Sequence, residues 1–205
     1  MFITFIMPSL IDCGNSKLRY TYRMNTYYGL RHGESQANTQ GIIVSLPKNG
    51  LEGFGLTKHG AEQVAKSCTK FAVVSPIIIA SDFKRTVQTA SIAAAHYGVE
   101  YTTSPLLRER NFEAFELQPN SHYATVWHQD ALNCTVKGVE TTAGVAHRCK
   151  AIIEQLEKVH SYKTIILVSH GDTLQIMQCV LQGLQPALHR SLEHFNPGEL
   201  RLFMH

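Results

Sequence analysis

The sequence predicts an α/β fold: a three-layer sandwich with a mostly parallel central sheet, helices on both faces and an antiparallel strand at one edge. Three observations predict it. Unbroken apolar runs rich in β-branched residues stand at Ile77-Ile78-Ile79-Ala80 and Thr164-Ile165-Ile166-Leu167-Val168-Ser169, the pattern of strands buried on both faces. Segments of helical period separate such runs, the alternation that builds a parallel sheet with crossover helices. Three runs also end on polar residues, at Arg31-His32, at Ser81 to Arg85 and at Ser169-His170-Gly171. Sheets of this kind bind ligands beyond the carboxyl ends of their strands.

In chain order, residues 1–23 read as an N-terminal extension and 24–205 as a single catalytic domain. Asn25 to Leu30 is the first strand, and Gln36-Ala37-Asn38 opens a short helix after Ser35. Gly41 to Gly55 holds four glycines and Pro47-Lys48-Asn49-Gly50, so it is expected to be a loop. Thr57 is an N-cap candidate ahead of Ala61, Val64, Ala65 and Cys68 at helical spacing. After the strand 77–80, a helix with Arg85 in its first turn runs to Gly98, whose lack of a Cβ suits a helix end. Glu100 to Thr103 is a short strand that leads into Leu106-Leu107-Arg108-Glu109-Arg110.

Residues 111–140 are the least regular, with a helix expected over Tyr123 to Leu132. Thr141 or Thr142 caps a long helix through Val159, with Val145, Cys149, Ile152, Ile153 and Leu156 as its apolar stripe. The strand 164–169 follows, then a helix from Thr173 to Leu181 stopped by Gly183 and Pro186. Asn196-Pro197-Gly198 is a turn, and Glu199 to Phe203 reads as an edge strand.

Composition narrows the class. At 205 residues, 44% apolar and 17% charged, the chain can bury a sizeable core. A net charge of +3 with no run of clustered Lys and Arg argues against nucleic acid as a partner. Phe2 to Ile11 is too short for a bilayer, which takes roughly 20 residues, and it lacks the basic lead-in of a signal peptide. No membrane partner is expected. Five scattered cysteines without a C-x-x-C pair suggest reduced thiols, no zinc site and a cytoplasmic location.

Arg31, His32, Arg85 and His170 at one strand edge make a cationic pocket. Arginine presents forked donors that match phosphate oxygens, and helix N-termini after the two histidines add backbone N–H groups. The expected ligand is a phosphoryl group on a small molecule. Metal-binding carboxylates do not accompany these residues, so the cationic side chains must neutralise the charge. A neutral imidazole can carry the phosphoryl group covalently, although spacing does not decide which histidine attacks. Glu109, just after a strand and between two arginines, is the best-placed acid for the leaving alkoxide. The plainer alternatives are a surface salt bridge for Glu109, a surface position for Arg85, a helix or loop cap for Asn38, and a solvated loop for His189 and His194, which could otherwise bind a metal.

Taken together, Arg31-His32-Gly33-Glu34-Ser35 with Asn38, Leu56-Thr57-Lys58-His59-Gly60, Ser81-Asp82-Phe83-Lys84-Arg85-Thr86 with Thr89-Ala90, Leu107-Arg108-Glu109-Arg110 and Ser169-His170-Gly171 resemble the histidine phosphatase superfamily, the phosphoglycerate-mutase-like group, in the family's order. The resemblance implies that His32 is the phosphorylated nucleophile and that Arg31, Arg85 and His170 clamp the phosphoryl group. It implies hydrogen bonds from Asn38 and the Gly171 backbone, Glu109 as proton donor, and neither metal nor organic cofactor.

Departures bear on substrate. Mutases of the family follow the acid with a Tyr-Gly pair and a basic cluster; here Asn111-Phe112-Glu113 follows, and no Lys or Arg occurs from Asn111 to Val136. Gly55 replaces the family's usual proline before Leu-Thr. The expectation is a metal-independent phosphomonoester hydrolase. The alternatives are a phosphoglycerate-mutase-type phosphotransferase and a phosphoprotein-binding regulator with little turnover.

Overall fold

The structure, a computed structural model, describes residues 25–204; the extension expected over 1–23 lies outside the described residues. Five strands form one sheet: β1 (Thr26–Arg31), β2 (Ile77–Ala80), β3 (Tyr101–Thr103), β4 (Thr164–Ser169) and β5 (Leu200–Met204), in the order β3-β2-β4-β1-β5. The first four are mutually parallel, and β5 runs antiparallel beside β1 at the edge, as the sequence predicts.

Strand geometry sends alternate side chains to opposite faces, and the two apolar runs do this visibly. Ile165 and Leu167 enter the core under α6 (Thr142–Val159) and α7 (Gly171–Gln182), while Ile166 and Val168 enter the core under α3 (Lys58–Thr69) and α4 (Lys84–Tyr97). Because β4 is central and covered on both sides, it has no polar face to alternate with. Thr57 and Thr141 cap α3 and α6 by accepting from the N–H groups of Gly60 and Gly144, each such cap being worth about 1 kcal/mol.

Some expectations change. Gly41 to Gly55 is not all loop: α2 (Pro47–Gly50) forms within it, with proline at its first position, where the missing N–H costs nothing. The helix expected from Thr173 begins at Gly171, directly behind His170, because no residue there resists helical geometry. The helix in the irregular region, α5 (His122–Ala131), lies within one residue of its expected bounds. It covers the sheet edge with a small core of its own, built on Ile43, Phe112 and Val126.

The Leu56-Thr57-Lys58-His59-Gly60 motif has a packing reason. It carries the backbone past residues 33–35: Thr57 N–H donates to the Glu34 carbonyl (2.9 Å), and Thr57 Oγ1 donates to the Glu34 carboxylate (2.7 Å). Gly33 and Gly60 meet face to face. A Cβ on Gly33 would lie 2.2 Å from the Gly60 carbonyl oxygen, and one on Gly60 would lie 2.0 Å from that of Glu34. Gly60→Ala should therefore push the 33–35 turn outward, lowering stability by about 1–3 kcal/mol and activity with it. Thermal denaturation alongside an activity assay checks this; a variant that keeps both at wild-type level would show that the contact is dispensable.

Candidate active site

The parallel strands deliver their polar ends to one edge. The β1–β4 ladder extends beyond Arg31 through His32 N–H to the Ser169 carbonyl (3.0 Å), and the β2–β4 ladder through Ser81 N–H to the Val168 carbonyl (2.9 Å). His32, Ser81 and His170 thus leave neighbouring strands at the same level. The His32 and His170 rings stand 5.2 Å apart at 63°. His32 Nδ1 lies 2.8 Å from the Gly33 carbonyl oxygen. That oxygen only accepts, so Nδ1 carries the proton and Nε2 keeps its lone pair. Burial, then the Arg85 and Arg31 charges, hold the His32 pKa well below the usual imidazole value, which keeps the ring neutral.

His170 is fully buried and sits behind the pocket surface. Its Nδ1 accepts from Arg85 Nη2 (2.9 Å), and its Nε2 donates to Ser81 Oγ (3.0 Å). Both ring nitrogens are engaged, so His170 bears on the site through Arg85. Burial, the Arg85 charge and the neighbouring His32 also push its pKa well down.

Arg85 is buried rather than on the helix surface. Its Nη2 donates to the Val44 carbonyl (3.0 Å) as well as to His170, while its Nη1 is buried without a partner. Arg31 donates through Nη1 to the Phe195 carbonyl (2.5 Å) and to His194 Nε2 (2.9 Å), and its Nε is likewise buried and unpaired. Two buried guanidinium donors without acceptors are rare in folded proteins. An oxyanion between them would satisfy both. Asn38 accepts through Oδ1 from Ser35 N–H (3.0 Å) and Ser35 Oγ (2.9 Å), closing a capping box on α1 (Gln36–Gln40). It is a cap and a pocket residue at once. Behind His170 no side chain caps α7, so its first-turn N–H groups stay open at Gly171.

Glu109 makes no surface salt bridge. The flanking guanidiniums turn away: Arg108 grips Asp82 (2.8 and 2.6 Å), and Arg110 grips Asp130 (2.6 and 2.8 Å). The Glu109 carboxyl faces the pocket and accepts from Arg110 N–H (2.9 Å) and Thr173 Oγ1 (3.3 Å). Burial and the Asp172 carboxylate raise its pKa, against the opposing pull of Arg85 and Arg31. A carboxyl whose pKa is raised is better suited to proton donation.

The pocket, of about 190 Å³, is lined by Arg31, His32, Asn38, Arg85, Glu109 and Gly171, and so gathers the expected residues apart from the recessed His170. Its far wall is formed by Asn120, Tyr123, Trp127, Asp172 and His194. Tyr123 and Trp127, four residues apart on α5, share one helix face and could have been read as a unit. Asp172, in the first turn of α7, is held ionised with its pKa lowered to about 2 by His189, Arg110 and the Trp127 N–H, against the effect of burial. His189 corrects the solvated-loop reading, whereas His194 is exposed, as that reading expects. His189 is fully buried near Asp172. His194 stands between Arg31 and Arg190 (2.9 and 3.0 Å), and burial plus these two charges bring its pKa down to about 4. The 186–191 turn folds back on α7 and α5, a long-range contact that local pattern does not encode. Among the described residues no group of three or more His, Cys, Asp or Glu is placed to hold a metal ion, and no helix is long and apolar enough to cross a membrane.

This fold and this cradle of arginines around a neutral histidine define a protein that handles phosphate esters. Residues 27–203 match the histidine phosphatase superfamily (branch 1), and the chain belongs to that family. Among its relatives, a Yersinia enterocolitica protein named probable phosphoglycerate mutase GpmB is 30% identical over 170 residues, 80% of this chain and 77% of that one. The structure of mycobacterial glucosyl-3-phosphoglycerate phosphatase complexed with VO3 superposes with a TM-score of 0.74 at 19% identity, covering 87% of this chain and 97% of the other. The α-ribazole phosphatase of Shigella flexneri gives 0.71 at 22% identity, covering 85% and 88%.

The buried neutral histidines make stability depend on pH. His32 and His170 have folded-state pKa values depressed below that of the unfolded chain, about 6.5. The unfolded state therefore takes up protons first, and stability should fall as pH drops below about 6.5, by up to about 1.4 kcal/mol per pH unit for each histidine. His170→Asn should flatten the fall in Tm between pH 7 and pH 5. An unchanged slope would remove His170 as a cause.

Proposed function

We propose that this chain is a metal-independent phosphatase that hydrolyses a small phosphomonoester through a phosphohistidine at His32. The observation that carries the reading is the pocket's division of charge. Its cations, Arg31 and Arg85, both flank His32, and no lysine or further arginine lines the far wall, where Asp172 is anionic. One phosphoryl group is well served, and a second anion on the same substrate is not.

The Nε2 lone pair of His32 attacks phosphorus while the P–O ester bond breaks, its electron pair leaving with the alkoxide. Glu109 gives that oxygen its proton. The unpaired N–H groups of Arg31 and Arg85, with Asn38 and the Gly171 backbone, hold the phosphoryl oxygens, and His170 holds Arg85 in place. Water then attacks phosphorus, Glu109 takes the proton, and the P–N electron pair returns to Nε2. The charge in each step is met by protein groups, which preorganised donors do without reorganisation.

The name of the Yersinia relative favours a mutase as the second reading. A mutase must keep a bisphosphorylated intermediate bound through its reorientation, and the far wall lacks the cations for its second phosphate and its carboxylate. The modest cavity favours a small ester over a phosphoprotein.

A panel of phosphomonoesters assayed in chelator tests the reading. Wild type should turn over sugar phosphates faster than phosphoglycerates and retain activity in chelator, and His32→Ala should be inactive. Isomerisation sustained by a bisphosphorylated primer, or activity restored only by a divalent ion, would overturn it. Glu109→Gln should slow sugar phosphates about 100-fold or more and nitrophenyl phosphate far less, because nitrophenolate leaves without a proton.

A further inference from the structure

The Tyr123 hydroxyl makes no hydrogen bond with any described residue, yet it opens into the pocket. A tyrosine this enclosed ordinarily has a partner for its O–H. The ring has no freedom to find one elsewhere. It stacks on Trp127, with centroids 5.3 Å apart and planes 6° apart, and meets Phe112 edge-on at 4.9 Å. Trp127 is itself fixed: its Nε1–H is shared between both oxygens of Asp172 at 3.0 Å, and the Arg190 guanidinium lies 3.8 Å above its ring. The hydroxyl is therefore held in one place, facing the pocket, by a chain of contacts that ends in the buried Asp172.

The charged groups that bear on it come from every element around the pocket. They are, in order of influence, Glu109 before the covering segment, Asp172 on α7, Arg85 on α4 and Arg31 on β1. Burial and the two carboxyls raise its pKa, so it remains a neutral O–H. The donors already assigned to the phosphoryl oxygens reach in from β1, α1, α4 and α7. Tyr123 comes from the covering helix and lines the same pocket as Glu109.

We propose that Tyr123 is a further catalytic residue, whose phenolic O–H donates a hydrogen bond to the ester oxygen of the leaving group beside Glu109. This rests on the phosphatase reading above. As the P–O bond breaks, the electron pair stays on the ester oxygen. Glu109 transfers its proton to that oxygen, and Tyr123 keeps its own while sharing it with the developing alkoxide. Preorganised donors aimed at growing charge supply much of an enzyme's rate. The phenol adds such a donor from the covering helix, across the pocket from the strand ends that carry Arg31 and His32.

Tyr123→Phe removes the hydroxyl and leaves the stack. With a sugar phosphate, kcat/KM should fall about 10–100-fold, while nitrophenyl phosphate, whose phenolate needs little stabilisation, should change by less than about threefold. The inhibition constant of inorganic phosphate and the Tm should stay near wild type. An equal loss on both esters, with weaker phosphate binding, would place the hydroxyl on the phosphoryl group or make it structural, and would overturn the proposal. So would unchanged kinetics on both. Failure of the wild type to hydrolyse either ester, or activity retained by His32→Ala, would instead overturn the phosphatase reading itself.

Discussion

The buried Arg85 guanidinium is the constraint on which the site depends. It enters from the first turn of α4 and joins three parts of the chain that are remote in sequence: the strand end at His170, the Val44 carbonyl and the open pocket. Taking a cation out of water costs several kcal/mol unless its donors are met, and here Nη2 is met twice while Nη1 has no partner. The imbalance persists because the surrounding structure is fixed independently. Ser81 anchors His170, and Thr86 anchors the start of α4 by donating to the Ser81 and Phe83 carbonyls (2.9 and 2.7 Å). The fold holds a cation in wait for an anion.

A second buried charge cluster sets the cover over the pocket. Arg110 grips Asp130 of α5 and lies 3.6 Å from Asp172 of α7, and Trp127 of α5 donates to the same Asp172. Two carboxylates about one guanidinium bolt the covering helix to the strand edge, with His189 packed alongside. Truncating one member would leave another charge buried and uncompensated. On the opposite side, the Glu116 carboxylate accepts from the N–H groups of Ser45 and Leu46, the Ser45 hydroxyl and the Asn49 amide, at 2.7–3.1 Å. One acidic side chain thus shapes the glycine-rich loop whose Val44 carbonyl steadies Arg85. The cover carries no arginine or lysine of its own; its acidic residues serve as acceptors for the loop and for Arg110.

Electrostatics then separates roles among similar groups. His32 and His170 are both neutral and buried, but their hydrogen bonds differ. The Gly33 carbonyl fixes the His32 proton on Nδ1 and leaves Nε2 free, whereas Arg85 and Ser81 occupy both nitrogens of His170. Spacing alone could not tell the two rings apart. Glu109 and Asp172 divide in the same way: burial and a like charge push the pKa of one up, while Arg110, His189 and the Trp127 N–H bring that of the other down.

The sequence by itself determined the sheet and its cationic edge. Unbroken β-branched runs at 77–80 and 164–169 can be buried only on both faces, and strand ends bearing Arg31-His32, Ser81 and His170-Gly171 must meet where parallel strands finish. Such signals are local, a period and a terminating residue, so they are legible without contacts. Tertiary structure alone decided the far wall. Tyr123, Trp127, Asp172 and His194 meet because α5 packs over the edge and the 186–195 segment folds back across it. It also decided which arginines face the pocket and which turn to Asp82 and Asp130, and which imidazole keeps a free lone pair. These outcomes depend on partners brought together by long-range packing, about which the residue types alone are silent.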